Sequence, residues 1–349
     1  MFKYSNISNW MDVMRLTKDK KPLPMLSFPA VQLLYIPTNE LVQNSTLQAL
    51  GIKMIADRYD MPAAIGYMDL SIEAEAFGAH AVYSVDEIPT IIGQLVTDME
   101  EAEALTVPCV GAGRTGIAVE GIKKASRIVT DRPLFAECIG PFSLAGRLMD
   151  VNEAMLNCYD DPDMVHLLLE KSTEFIINYI RAFKEAGAHG VIMAEPLAGV
   201  LSPQLAREFS SDYVKKIVDE VQSEDFIVIY HNCGSGVVFQ ADDIWATGCK
   251  AFHFGDSINI VDMLEKAPAD VLIMGNVSPA RTFLAAKPQL VKSTVHQLMT
   301  DAGMYENFWP SSGCDIPPLT DLENIEAFFS AVDEFYYKRH MIDLIEGRS

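Results

Sequence analysis

The chain has 349 residues, 49% of them hydrophobic, with a formal charge of −21 and a sequence pI near 4.6. That is ample apolar material for a core, and the acidic balance excludes a uniformly basic nucleic-acid face and electrostatic attachment to anionic lipid. Six scattered cysteines are too few for a disulfide scaffold in a chain this long. The start lacks a basic segment followed by an apolar run, and no uncharged apolar stretch approaches the roughly 18 residues of a membrane helix. A reducing cytoplasm is therefore the expected compartment, where free thiols remain available to a metal.

Residues 1–22 read as a polar, mixed-charge helical extension. Residues 23–28 form a short apolar strand candidate punctuated by prolines. Over 40–58, Leu41, Leu47, Leu50, Met54 and Ile55 fall at helical spacing. Residues 67–79 carry Asp69, Glu73 and Glu75 in an Ala- and Glu-rich stretch that favours helix, with Gly78 as its stop. Another helix is expected to open at 86–89. Residues 111–116, Gly-Ala-Gly-Arg-Thr-Gly, match G-x-G-x-x-G. Pro108 breaks the preceding run, however, and Asp131 stands before the next strand rather than at its end, the reverse of a dinucleotide fingerprint. The segment reads instead as a glycine loop leading into a helix over 117–129.

From residue 134 the rhythm is regular. Strands at 134–139, 190–194, 226–230, 251–254, 271–274 and 307–309 alternate with helices at 142–149, 162–186, 202–222, 242–246, 260–266 and 279–300. A closing helix over 321–339 begins with the capping box Thr320-Asp-Leu-Glu323. Continuously apolar strands between helices indicate a parallel sheet covered on both faces. About eight such units, with no low-complexity linker, predict an α/β fold of the (β/α)8 TIM-barrel type, one domain over 1–349.

The stretch with most chemistry runs from Ile227 to Gly236. A β-branched run delivers His231 and Cys233 two positions apart, then turns on glycines. Residues i and i+2 of a strand share a face, so imidazole and thiol can converge. His and Cys together most often hold zinc. Cys314, at a second apolar-to-glycine transition, is the expected third ligand, leaving one position open. All three fall at predicted carboxyl ends of strands, where barrel chemistry sits. Glu195, Asp256 and Asn276 end other strands and are candidate catalytic or substrate-pocket residues; an acid closing an apolar strand is costly unless paired or facing a pocket. His253, within a strand, reads as packing or as a partner to a ligand. Cys109, Cys138, Cys158 and Cys249 show no pairing logic.

Tyr-His231-Asn-Cys233-Gly, Gly275-Asn-Val-Ser-Pro279 and the run from Ser312 through Cys314 to Asn324 resemble the signature stretches of the uroporphyrinogen decarboxylase superfamily. More narrowly, together with residues 68–78 and 140–145, they are similar to its corrinoid branch of methylcobalamin:coenzyme M methyltransferases. The resemblance implies the barrel, zinc held by His231, Cys233 and Cys314, and methyl transfer from methylcobalamin or a partner corrinoid protein to a small-molecule acceptor such as coenzyme M or tetrahydrofolate. The superfamily's decarboxylases rest on an arginine-rich motif after the first strand, where this chain reads Ser27-Phe-Pro-Ala-Val-Gln32 without arginine. A metal-free carboxy-lyase and a non-catalytic corrinoid- or tetrapyrrole-binding protein are the alternatives.

Overall fold

The computed structural model describes residues 6–347, so the first five residues of the N-terminal extension lie outside the described part. Nine strands form among the described residues: β1 (Ala64–Ile65), β2 (His80–Val82), β3 (Thr90–Ile92), β4 (Leu134–Ile139), β5 (Gly190–Ala194), β6 (Ile227–Asn232), β7 (Ala251–Phe254), β8 (Leu272–Val277) and β9 (Phe308–Ser312). Seven make one parallel sheet in the order β1-β4-β5-β6-β7-β8-β9, and β2 pairs with β3 in a separate antiparallel hairpin. Every residue of β4, β5, β6 and β7 is buried. This is what their unbroken apolar runs require, because helices such as Pro162–Glu185 cover the outer face.

The sheet curls. Trp10, on the opening helix Ile7–Leu16, lies 5.7 Å from the ring of Phe135 on β4 and 5.8 Å from that of Trp309 on β9. Those strands stand near opposite ends of the sheet order, so one indole touching both closes off the space between them. The architecture is consistent with the barrel expected from the sequence, but with seven strands in the sheet rather than eight. The expected first strand at 23–28 is buried yet forms no ladder. It runs beside β9, with Leu23 N–H donating to Pro310 O at 3.0 Å. Pro22 and Pro24 have no N–H to give, which removes ladder bonds where the strand would begin. The helix expected at 86–89 is also absent: those residues form the turn of the β2–β3 hairpin, and β-branched Thr90 to Ile92 pair with His80 to Val82.

Register fixes which side chains face inward. Phe135 meets Trp10 on the concave side, so Glu137 and Ile139, two and four residues on, face the same way. Ile139 registers with Ala194, Ala194 with His231, and His231 with His253. Neighbours in a parallel register share a face, so the two histidines stand side by side inside the sheet. No helix among the described residues is long and apolar enough to cross a membrane.

The glycine loop at 111–116 has a structural role. Gly111 and Gly113 adopt positive φ, 111° and 53°, and deliver Arg114 at the start of the helix Thr115–Ile128. Its guanidinium pairs with Asp69, with Glu75 at 2.6 Å and with the Ser71 hydroxyl at 2.7 Å. Arg114 is 4% exposed, and the Asp69 side chain is fully buried. Removing one partner of such a pair strands the other charge. Arg114→Met should lower unfolding free energy by about 3–5 kcal/mol in urea titration; a loss within the noise of an ordinary surface substitution would show that the pair is not holding this corner together.

Candidate metal centre

β6 ends at Asn232, and the side chains on either side of that residue carry the site. Asn232 itself points away and fixes the turn. Its amide donates to Glu195 O at 2.6 Å and to the Tyr230 hydroxyl at 3.0 Å, while its carbonyl accepts from Gly234 N–H at 2.8 Å. Cys233 is thereby held just beyond the strand. Gly255 makes room for it: a Cβ there would stand 2.5 Å from the Cys233 Cβ. On the far side, Gly313 N–H donates to Val277 O at 2.7 Å and leads β9 into Cys314. The donor atoms of His231, Cys233 and Cys314 lie within 4.8 Å of one another, and Cys314 Sγ is 3.5 Å from His231 Nε2.

The orientation of the imidazole follows from a chain of hydrogen bonds. Ser311 Oγ donates to Leu23 O at 2.7 Å, since a carbonyl can only accept. Its contact with His253 Nε2 at 2.9 Å is therefore one in which the ring donates. Burial, with the neighbouring His231 adding to it, pushes His253 well below the usual imidazole range, so the ring is neutral and its Nδ1 is an acceptor. That nitrogen lies 2.8 Å from His231 Nδ1, which must carry the proton. The lone pair of His231 Nε2 is left directed at the two sulfurs, as a metal ligand requires.

The thiols divide their protons unequally. Cys233 is depressed below the usual thiol range, first by the facing Cys314 thiol and then, against the cost of burial, by His231. Cys314 is raised well above that range by Cys233 and by burial. The pair therefore carries one negative charge near neutrality. One nitrogen and two sulfurs at this spacing fit zinc: bonds of about 2.0–2.3 Å at tetrahedral angles separate N and S by about 3.6 Å. Among the described residues, this is the His, Cys, Asp and Glu group whose donors converge in this way.

The other three expected site residues each have protein partners. The Glu195 carboxylate is fully buried and accepts from Phe142 N at 2.7 Å, Ser143 N at 2.9 Å and Ser210 Oγ at 2.8 Å, so it caps the helix Pro141–Met149. Asp256 pairs with Arg281 at 2.9 Å. The Asn276 amide donates to Gly255 O and Ile258 O, both at 2.9 Å. Residues not singled out from the sequence complete the surroundings: Ser311, Glu137 and Asp315. Both carboxylate oxygens of Glu137 are buried without a hydrogen-bond partner, and the Asp315 carboxylate is buried against the Ser27 hydroxyl and the Ile316 N–H. Burial pushes Glu137 well above the ordinary carboxyl range, and the Asp315 charge adds to it. An acid inside the apolar run Leu134 to Ile139 is the same signal that drew attention to Glu195, and it would have found Glu137.

A parallel, curled α/β sheet with a His-Cys-Cys donor set at its carboxyl rim defines a barrel-type protein with a candidate metal centre. The chain belongs to the uroporphyrinogen decarboxylase (URO-D) family, whose model matches residues 35–335. Curated relatives include the uroporphyrinogen decarboxylases of Pseudoalteromonas translucida, 28% identical over 313 residues (86% of this chain, 85% of the relative), and Hydrogenovibrio crunogenus, 28% identical over 314 residues (86% and 85%). Among solved structures, a methyltransferase from Methanosarcina mazei aligns with a TM-score of 0.82 at 24% identity, covering 96% of this chain and 100% of its own. A B12-independent methionine synthase from Shewanella sp. W3-18-1 aligns at 0.58 and 13% identity, covering 93% and 98%.

Two outcomes test the centre. Zinc binding near pH 7 should release about one proton, from Cys314, in weakly buffered indicator solution; two would contradict the shared charge. His253→Ala should weaken zinc affinity about 10–100-fold in chelator competition, because His231 loses the acceptor that sets its tautomer.

Proposed function

We propose that this chain is a zinc-dependent methyltransferase that moves a methyl group from a methylated corrinoid, free methylcobalamin or a corrinoid protein, to a small acceptor thiol or to tetrahydrofolate. The observation that carries this reading is the convergence of His231, Cys233 and Cys314 with an imidazole lone pair aimed at two sulfurs. The likeness to the Methanosarcina mazei methyltransferase supports it.

A free thiol with a pKa near 8.5 is mostly protonated at neutral pH, and the thiolate is the nucleophile. His231, Cys233 and Cys314 would hold the zinc, which would supply a Lewis acid for the acceptor thiol. The protein's own groups do the rest. His253 and Ser311 hold the His231 proton on Nδ1, away from the sulfurs. Asn232 and Gly255 fix Cys233 at the rim. The acceptor sulfur bonds to the methyl carbon as the carbon–cobalt bond breaks, the thiol proton leaves for solvent, and the electron pair stays on the reduced corrinoid. Corrinoid chemistry provides the leaving group, and the protein provides position and charge.

The curated relatives bear the name uroporphyrinogen decarboxylase, which favours a second reading as a metal-free carboxy-lyase. The site has the wrong sign for a substrate with many carboxylates. Residues 23–41 contain no arginine or lysine, and Arg114 is already held by Asp69 and Glu75. Glu137 and Asp315, with buried carboxylates, offer such a substrate no cation.

Protein purified without added metal should contain zinc near one equivalent and demethylate methylcobalamin in the presence of an acceptor thiol, followed by the corrinoid absorbance change. The double variant Cys233→Ala/Cys314→Ala should lose the metal and fall to the uncatalysed rate. Zinc-independent release of carbon dioxide from uroporphyrinogen would instead establish the carboxy-lyase.

A further inference from the structure

The mechanism above leaves one cation at the carboxyl rim unused. Arg147 lies on the helix Pro141–Met149, which starts where β4 ends, and it is half-buried. Among the described residues its guanidinium finds no hydrogen-bond or ion-pair partner; the charge that acts on it is that of Asp69. Asp69 is already held by Arg114 and by the Ser71 N–H at 3.1 Å. Attraction to Asp69 from a distance leaves the N–H donors of Arg147 unused. Half-burial takes away part of their water and no protein acceptor replaces it, so donor capacity is in place for a ligand.

Backbone geometry ties this helix to the rim that carries the metal centre. Glu195 N–H donates to His231 O at 2.8 Å, and the Glu195 carboxylate holds the first N–H groups of the helix, those of Phe142 and Ser143. Ser143 and Arg147 are four residues apart, so they share one face, about 6 Å apart along the axis. That face looks toward the loop after β5, where the Ser143 hydroxyl accepts from Leu197 N–H at 3.1 Å. Helix side chains lean toward the amino end, which carries the long Arg147 side chain back toward the rim. Asp69 follows β1, on the other side of β4 in the sheet order. The guanidinium thus stands between the loops after β1 and β5, and solvent reaches it.

Resting on the methyl-transfer reading, we propose that Arg147 determines which acceptor is used: it receives an anionic group, carboxylate or sulfonate, at the end of the acceptor away from the reacting atom. The planar fork of a guanidinium matches the paired oxygens of either group, and the opposite charges strengthen each hydrogen bond. A neutral acceptor of the same length gains nothing from it. One free guanidinium suits one anionic group, not a substrate with many carboxylates. Three thiols with the same carbon spacer isolate the charge: coenzyme M, 3-mercaptopropionate and 2-mercaptoethanol. Tetrahydrofolate, whose glutamyl tail carries carboxylates, is the fourth acceptor. Methyl transfer from methylcobalamin is measured for each with the full-length zinc-loaded protein and with Arg147→Met and Arg147→Lys, the zinc content of each variant serving as the check on folding. Binding of the same acceptors is measured in parallel by calorimetry.

Loss of a charge-assisted hydrogen bond predicts that kcat/KM for coenzyme M or 3-mercaptopropionate, taken relative to 2-mercaptoethanol, falls about ten-fold or more in Arg147→Met. The ratio removes the intrinsic difference in thiol reactivity. The fall lies in KM rather than kcat, because the metal ligands are untouched, and Arg147→Lys, which keeps the charge without the fork, recovers part of it. The larger loss tells sulfonate from carboxylate. Ratios unmoved in Arg147→Met, or methylation of 2-mercaptoethanol alone, overturn the proposal. If tetrahydrofolate alone is methylated, its KM rises about ten-fold or more in Arg147→Met, and an unmoved KM overturns the proposal. If no acceptor is methylated, the methyl-transfer reading fails and calorimetry decides the subsite. Binding of an anionic acceptor that weakens in Arg147→Met sustains it, and binding that is absent or unchanged rejects it.

Discussion

The contact on which the site depends joins two rings, His231 Nδ1 to His253 Nδ1 at 2.8 Å. An imidazole on a flexible tether samples two tautomers and several orientations, and only one combination presents Nε2 to a metal. Here the choice is made far from the sulfurs, where a carbonyl of the 23–28 segment can only accept. That directionality passes through Ser311 and His253 to His231. The centre is thus tied to the segment that fails to become a strand. Because residues 23–28 do not complete a ladder with β9, Leu23 O remains free to end the chain of donors. A regular eighth strand would use such carbonyls for pairing.

Much of this was legible in the sequence, for reasons that differ by element. The parallel strands were readable because both faces are buried, which forces unbroken apolar runs such as Ile227 to Tyr230. The convergence of His231 with Cys233 was readable from strand periodicity. The partnership of Cys314 with them rests on a contact across 83 positions that no local pattern encodes. The residues at 23–28 and 86–89 were misjudged where local signals compete. Prolines spoiled an apolar strand, and a Pro-preceded β-branched run became a hairpin arm. Glu195 illustrates another limit. An acid at a strand end must find donors, but sequence does not say whether they belong to a ligand or to a neighbouring helix. Here the backbone N–H groups of Phe142 and Ser143 supply them.

Glu195 and Glu137 have opposite outcomes in similar settings. Both are buried acids on apolar strands with raised carboxyl pKa values, and burial is the chief cause in each. Glu195 lies against the amino end of the helix Pro141–Met149, which offers two N–H groups and a favourable dipole, and Ser210 adds a third donor. Its charge is absorbed by the scaffold. Glu137, on the inward face of the preceding strand, meets no such end. The same residue type is structural where the helix layer reaches it and unpartnered where only the interior does.

Charge placement bears on the proposed reaction without any change of fold. A parallel sheet gathers the carboxyl ends of its strands at one rim whatever side chains they carry, so the scaffold is indifferent to the sign of the site. In this chain one buried cation, Arg114, closes a corner between Asp69 and Glu75, outside the ligand triad. The interior keeps a thiol pair in which Cys233 is the more acidic, together with the buried acids Glu137 and Asp315. Such an interior suits the divalent ion of the proposed centre better than it suits a polycarboxylate. The proposed reaction class rests on that balance of charge more than on the shape of the barrel, which by itself does not choose a chemistry.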